Sequence, residues 1–169
     1  MTLPARQRAF SASFAATAAE NLDDVYGYLV YLTRDRSLAE DLAADTFEKA
    51  FRLWSRFDPR RASARTWLTQ IARTTALDWF RSEERRQRRE GRSAAPERID
   101  AGFAEGLSPE LEAALAGLSA GEREVIALRV LLDLDGDEAA RVLGISPTAV
   151  STRLSRALKK LEEKVSIHV

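Results

Sequence analysis

Apolar residues recur along the chain at steps of three and four, the spacing of helices that bury one face. Phe10, Phe14, Ala18, Leu22, Val25, Leu29 and Leu32 form one such stripe and predict a helix from about Phe10 to Leu32. Ser37 and Glu40 then stand at capping-box spacing: the hydroxyl can accept from one orphan amide while the carboxylate accepts from another. A second helix is expected to start there, with Leu38, Leu42, Phe47, Ala50, Phe51 and Trp54 inward. Asp58-Pro59 should end it, because the residue before proline is driven out of helical geometry. A loop from Asp58 to Ala64 leads to a third helix from about Arg65 toward Arg89, whose inward positions are Trp67, Leu68, Ile71, Ala72, Thr75 and Trp79.

The period is lost over residues 91–108, where Gly91, Ser93, Pro96, Gly102, Gly106 and Ser108 cluster. This is the expected linker. Fully stretched it would reach about 60 Å, and as a relaxed coil about 24 Å. Beyond it, Ser108-Pro109 starts a short helix and Gly117 stops it. Ser119 and Glu122 form another capping box ahead of Val125, Leu128 and Leu132. After a turn at Asp135-Gly136, a short helix carries Ala139, Ala140, Val142 and Leu143 and is stopped by Gly144. Ser146-Pro147 opens the last helix, with Val150, Leu154, Ala157, Leu158, Leu161 and Val165 on one stripe. A short helix, a glycine turn and a longer capped helix make a helix-turn-helix pattern. The expected fold is all-α: a helical domain over residues 1–90, a flexible linker over 91–108, and a helix-turn-helix domain over 109–169.

Composition narrows the chemistry. The 169 residues include no Cys and one His, His168, so disulfides, thiolate metal sites and a histidine triad lack their parts. Carboxylate pairs such as Asp23 with Asp24, or Asp41 with Asp45, have no matching ligand set, and no glycine-rich phosphate loop is present. We therefore expect no catalytic residue, no metal and no cofactor. No apolar run approaches the roughly 18 residues of a spanning helix, and Met1 to Phe10 has no signal-peptide apolar core. A cytoplasmic protein without a membrane partner is the expectation.

Charge is segregated although the total is zero. Residues 1–60 carry 8 basic and 9 acidic side chains, residues 61–98 carry 10 and 5, and residues 99–169 carry 8 and 12. A basic middle implies one local contact with a polyanion. The last helix reverses the sign of its acidic surroundings: Ser146 to Lys160 holds Arg153, Arg156, Lys159 and Lys160 and no acid. Its outer face, with Thr148, Thr152, Ser155, Arg156 and Lys159, suits a phosphate-lined groove, where Arg forks onto guanine or phosphate and hydroxyls reach either. A solvated amphipathic helix is the alternative reading, as is a solvated helix end for Arg85 to Arg92.

Three segments, two before the linker and one after it, carry a resemblance. AEDLAADTFEKAFR (Ala39 to Arg52) and FDPRRASARTWLTQIARTTALDWFR (Phe57 to Arg81) resemble the polymerase-gripping and minus-ten segments of bacterial sigma factors of the extracytoplasmic-function type. LGISPTAVSTRLSRALKKL (Leu143 to Leu161) resembles their minus-35 helix-turn-helix. The resemblance implies a transcription initiation factor that binds core RNA polymerase, at the clamp helices of the largest subunit and the flap of the second, together with promoter DNA. An anti-sigma factor is a further implied partner.

By similarity, Glu40, Asp41, Ala44, Asp45 and Glu48 meet the clamp. Asp58, Arg60, Arg61, Ser63 and Arg65 form the strand-capturing loop and its exit. Arg73, Thr74 and Asp78 line the opened bases, while Arg81, Arg85 and Arg86 hold phosphates. Thr148, Ser151, Thr152, Ser155 and Arg156 read the minus-35 duplex, with Arg153 and Lys159 on phosphates. Ala44 stands where the family commonly has Gln, and Thr74 where it commonly has Asn. Gly136 and Ala139 replace a frequent aromatic and a larger aliphatic under the reading helix. The residues alone leave two competitors: a dimeric helix-turn-helix regulator that binds an operator without polymerase, and a helical adaptor whose basic stretch meets RNA or an anionic membrane.

Overall fold

Seven α-helices, with a 3-10 turn and a π turn between them, make up the regular structure of the computed structural model, which describes residues 5–91 and 108–166. The expected linker, but for its two end residues, and His168 lie outside the described residues.

Helix α1 (Ala5–Thr33) buries Phe14, Val25 and Leu29, and also Tyr28. Leu22, expected inward, is 48% exposed. At about 100° per residue it lies about 60° from Val25 on the side away from Tyr28, so the buried arc is turned toward Tyr28. Arg34 then adopts a left-handed φ of 53° and throws the backbone of Asp35 into an extended conformation. That is N-cap geometry, and the Asp35 carboxylate accepts from the Leu38 amide at 3.0 Å. Helix α2 (Arg36–Leu53) therefore starts ahead of Ser37, and the Ser37–Glu40 capping box does not form.

α2 also stops earlier than the Asp58-Pro59 signal. A 3-10 turn, Trp54–Arg56, tightens its end and brings Trp54 parallel to Phe57, with ring centroids 5.0 Å apart. Phe51 is not inward but 43% exposed, resting edge-on against Phe10 and Phe14. Helix α3 (Ala64–Arg89) is capped by Ser63, whose hydroxyl accepts from the Thr66 amide at 3.1 Å. Leu68, Ala72 and Ala76 are fully buried, and the buried hydroxyls of Thr69 and Thr75 donate back to the carbonyls of Arg65 and Ile71. Trp67, Ile71 and Trp79 pack at the margin of this core.

The second module follows its local signals closely. Ser108 caps α4 (Pro109–Ala116), and Ser119 with Glu122 closes both halves of a capping box on α5 (Ala120–Ile126). One π turn, Ala127–Leu131, leads to α6 (Gly136–Leu143), opened by a second complete capping box between Asp135 and Glu138. Gly144 takes a left-handed φ of 66° and turns the chain into α7 (Pro147–Ser166). Val125, Leu128, Leu132, Leu134, Ala139, Val150 and Ala157 form the core. Leu158 and Val165, expected on the buried stripe, are 46% and 40% exposed; they stand about 80° and 60° round the helix from Val150, at the stripe's edge. The modules touch where α1 meets the π turn and where α3 meets α6.

Candidate polymerase and nucleic-acid interface

The loop before α3 is built on an aromatic base. Trp54, Phe57 and Trp67 sit with ring centroids 5.0 to 5.9 Å apart, and Phe14 packs edge-on against Trp54 at 5.5 Å. Both roots of the loop are thus anchored on one cluster, and such pairs add about 0.5–1.5 kcal/mol each beyond their burial. Within the loop the Asp58 carboxylate accepts from Arg60 Nε and Nη2, both at 3.0 Å, and from the Arg60 amide. Those hydrogen bonds hold the Asp58 carboxyl below the usual range. Arg60, Arg61 and Ser63 are exposed, and Arg65 lies 3.6 Å from Asp24 of α1.

Along α3, the exposed side chains of Thr74, Asp78, Arg81 and Arg85 fall within about 60° of one another, on one outer face. Asp78 and Arg81 are 3.4 Å apart, and the Thr74 hydroxyl donates to its own helix at Gln70 O. Arg86 is drawn aside by Glu83, at 2.7 Å. Arg73 is on the flank instead, at the seam with the second module. Its Nε lies 2.6 Å from Glu124 Oε1 and its Nη2 3.3 Å from Oε2, with Glu124 itself only 9% exposed. The same carboxylate accepts from the fully buried Tyr28 hydroxyl at 3.0 Å. Burial first, then the charge and hydrogen bond of Glu124, push the Tyr28 phenol well above the ordinary tyrosine value. Ser63 is at the seam too: its hydroxyl is 3.3 Å from Glu138 Oε1, which also accepts from Thr66 at 3.0 Å. Gln70 donates to the Arg141 carbonyl.

On α2, Glu40, Asp41, Ala44, Asp45 and Glu48 are all exposed, opposite the buried Ala39, Leu42, Ala43, Thr46 and Ala50. Arg52 pairs with Glu48. The result is an acidic face on a helix rigidly packed beneath. On α7, Thr148, Ser151, Thr152, Ser155, Arg156 and Lys159 are exposed on the side opposite Val150 and Ala157. Arg153 leans over the start of α5, where a Cβ on Gly121 would stand 3.2 Å from its Nη1. Lys160 bonds both Glu122 oxygens, at 2.7 and 3.0 Å, and so serves the fold.

Most of the residues singled out from the sequence therefore lie on three open faces, and Arg73 and Ser63 meet the second module. Sequence reasoning missed Tyr28, Glu124 and Glu138. Tyr28 was signalled by its place three residues after Val25, and Glu124 by its position in an otherwise buried run. Among the described residues no helix is long and apolar enough to cross a membrane, and no group of acidic or histidine side chains could hold a metal.

Protein-family models agree with this layout. The model for Sigma-70 region 2 matches residues 17–86, and that for Sigma-70 region 4 matches residues 108–161. The ECF RNA polymerase sigma factor SigC of Mycobacterium tuberculosis is 36% identical over 154 residues, 89% of this chain and 80% of that one. SigX of Bacillus subtilis is 29% identical over 154 residues, 85% of this chain and 79% of its own. Among solved structures, the sigma factor RpoE bound to the anti-sigma factor NepR from Bartonella quintana superposes with a TM-score of 0.75 at 26% identity, covering 92% of this chain and 98% of that one. CnrH, in complex with the cytosolic domain of CnrY, gives 0.69 at 28% identity, covering 94% and 91%. An acidic helix face, a basic loop and helix, and a helix-turn-helix with a basic outer face thus occur in the order of regions 2 and 4, and the chain belongs to the ECF RNA polymerase sigma factors.

Proposed function

We propose that the chain binds core RNA polymerase through the acidic face of α2 and directs it to promoters whose two elements its modules read separately. Glu40, Asp41, Asp45 and Glu48, with Ala44 among them, meet the clamp helices. The loop of Asp58, Arg60, Arg61 and Ser63, followed by Arg65, captures the melted minus-ten strand. Arg73, Thr74 and Asp78 line the region of opened bases, with Arg73 on its flank, and Arg81 and Arg85 hold phosphates. Thr148, Ser151, Thr152, Ser155 and Arg156 face base edges of the minus-35 duplex, flanked by Arg153 and Lys159 on its backbone. The first module extends over residues 1–90 and the second over 109–169, tethered by 91–108, so that each weak contact raises the effective concentration of the other.

One observation carries this reading: a single chain presents an acidic helix face, a basic aromatic-rooted loop and a basic helix-turn-helix face on separate, rigidly packed elements. The protein acts in the cytoplasm without catalytic groups of its own, since nucleotide addition belongs to the polymerase. The similarity to RpoE, crystallised with the anti-sigma factor NepR, supports regulation by a bound inhibitor. Retention of core polymerase by the purified chain, followed by run-off transcription on fragmented bacterial DNA, tests the reading. Specific initiation that disappears without the chain is expected; failure to retain polymerase, with occupancy of a palindromic operator by the free protein, would overturn it.

A further inference from the structure

Several hydrogen bonds run the same way across the seam between the modules. Five side chains of the first module, Tyr28, Ser63, Thr66, Gln70 and Arg73, donate hydrogen bonds across it, and the acceptors are Glu124, Glu138 and the Arg141 carbonyl of the second. Apolar packing crosses it as well, since the buried residues of both modules form one cluster that includes Leu29, Ala127 and Leu128, while Val130 and Leu131 of the π turn remain 61% and 54% exposed. Glu138 divides its carboxylate. One oxygen closes the capping box on the Asp135 amide at 2.9 Å, and the other sits on the Ser63 and Thr66 hydroxyls at the N-terminus of α3. The positive end of a 26-residue helix favours an anion there. Seven residues on, about 10 Å along the helix axis, Glu124 forks onto Arg73.

We propose that Glu124 and Glu138 stand in for two phosphates of the melted strand: they fill anion-accepting positions of α3 in the free chain, and the strand enters by displacing them. This rests on the reading of α3 as the strand-binding helix. The exchange is chemically balanced, one anion for another on the same donors, and no unpaired buried charge is left behind. Arg73 passes from carboxylate to phosphate, while Glu124 passes to water as the modules part. A half-buried ion pair of this kind adds little net stability, because its attraction is offset by desolvation. It blocks the helix without fixing the closed form. The segment charges agree: residues 61–98 carry an excess of five basic side chains, and residues 99–169 an excess of four acidic ones.

The test compares the full chain with Glu124→Gln/Glu138→Gln and with a charge-matched control, Asp137→Asn/Glu162→Gln, at exposed positions of α6 and α7. Glutamine keeps the shape and the capping-box acceptor, and circular dichroism checks that the helices persist. The probe is fluorescein-labelled single-stranded DNA of random sequence, since phosphates carry no sequence. The seam variant should bind about tenfold more tightly than the control, an ordinary size for coupling between two sites, and scattering should show a larger radius of gyration. Adding Arg73→Ala to the seam variant should abolish the gain. Equal affinities for the two variants would overturn the proposal, and so would a seam variant that opens without binding the strand better. Core polymerase retention by the unmodified chain, measured in parallel, reports on the functional reading independently. Retention with no seam effect removes only the mimicry, whereas loss of retention removes the reading.

Discussion

Glu122 joins two levels of structure through one carboxylate. It accepts the Ser119 amide in the capping box that starts α5, and it accepts Lys160 from α7. Lys160 first, then the Ser119 amide, hold its carboxyl below the usual glutamate range. A carboxyl depressed by folding contributes stability above its unfolded pKa of about 4.3, and that contribution is lost as pH falls through the lower folded value. The thermal midpoint should therefore drop below about pH 4.3, and Glu122→Gln should flatten the drop relative to the unmodified chain, as read by circular dichroism melts. Gly144 gives a second residue-scale case. Nothing stands within 4 Å of a Cβ built there, so Gly144→Ala suffers only from the φ of 66°. The expected loss is about 1–2 kcal/mol in urea unfolding. Gly136→Ala, with equal space and an ordinary backbone, should show no such loss. Gly144 was legible as a turn residue because its signal is local, whereas Gly136, read as part of a turn, is the first residue of α6 behind the Asp135 cap. The start of α2 was not legible: Ser37 and Glu40 have the right spacing, but the left-handed turn at Arg34, bridged by the Thr33 hydroxyl bonded to the Asp35 backbone, hands the cap to Asp35.

At the scale of elements, a helix's inward arc was easier to read than what that arc touches. α3 buries the predicted Leu68, Ala72 and Thr75, yet its seam partners Glu124 and Glu138 lie 51 and 72 residues away from Arg73 and Thr66, beyond any local pattern. Trp67 marks where the element supports the loop: it touches both Trp54 and Phe57. Because it is half-buried, Trp67→Ala should destabilise the first module by about 2–3 kcal/mol, less than the roughly 3–5 of a fully buried aromatic. It should also weaken strand capture more than duplex binding in promoter-complex footprinting. α7 separates reading from anchoring. Arg156→Ala should weaken one base position by about 1–3 kcal/mol, whereas Lys159→Ala should weaken every sequence alike and reduce the salt slope by about one. Holoenzyme binding to single-base promoter variants at several salt concentrations distinguishes the two.

For the whole molecule, the basic middle pointed to a polyanion contact, and no local signal says that its side chains also meet the acidic second module across a tether of that length. The buried phenol of Tyr28 makes the closed arrangement responsive to alkali. Its pKa is raised by burial first and by the neighbouring Glu124 charge and hydrogen bond next, against the opposing influence of Arg73. A chain with separated modules would release this proton near the ordinary tyrosine value of about 10, while the closed chain retains it. The contribution is complete below that value, and closure weakens progressively as pH climbs from there toward the higher pKa of the closed form. Tyr31, on the same helix, is likewise pushed up to about 12 by burial. Fluorescence transfer between dyes on α2 and α7 should therefore fall as pH rises past about 10, in step with phenolate absorbance. Cysteines introduced for the dyes label cleanly, since the chain has none. Tyr28→Phe keeps the ring in place and removes the titrating hydroxyl, so it should make the fall shallower. A profile identical to that of the unmodified chain would show that Tyr28 has no part in closure.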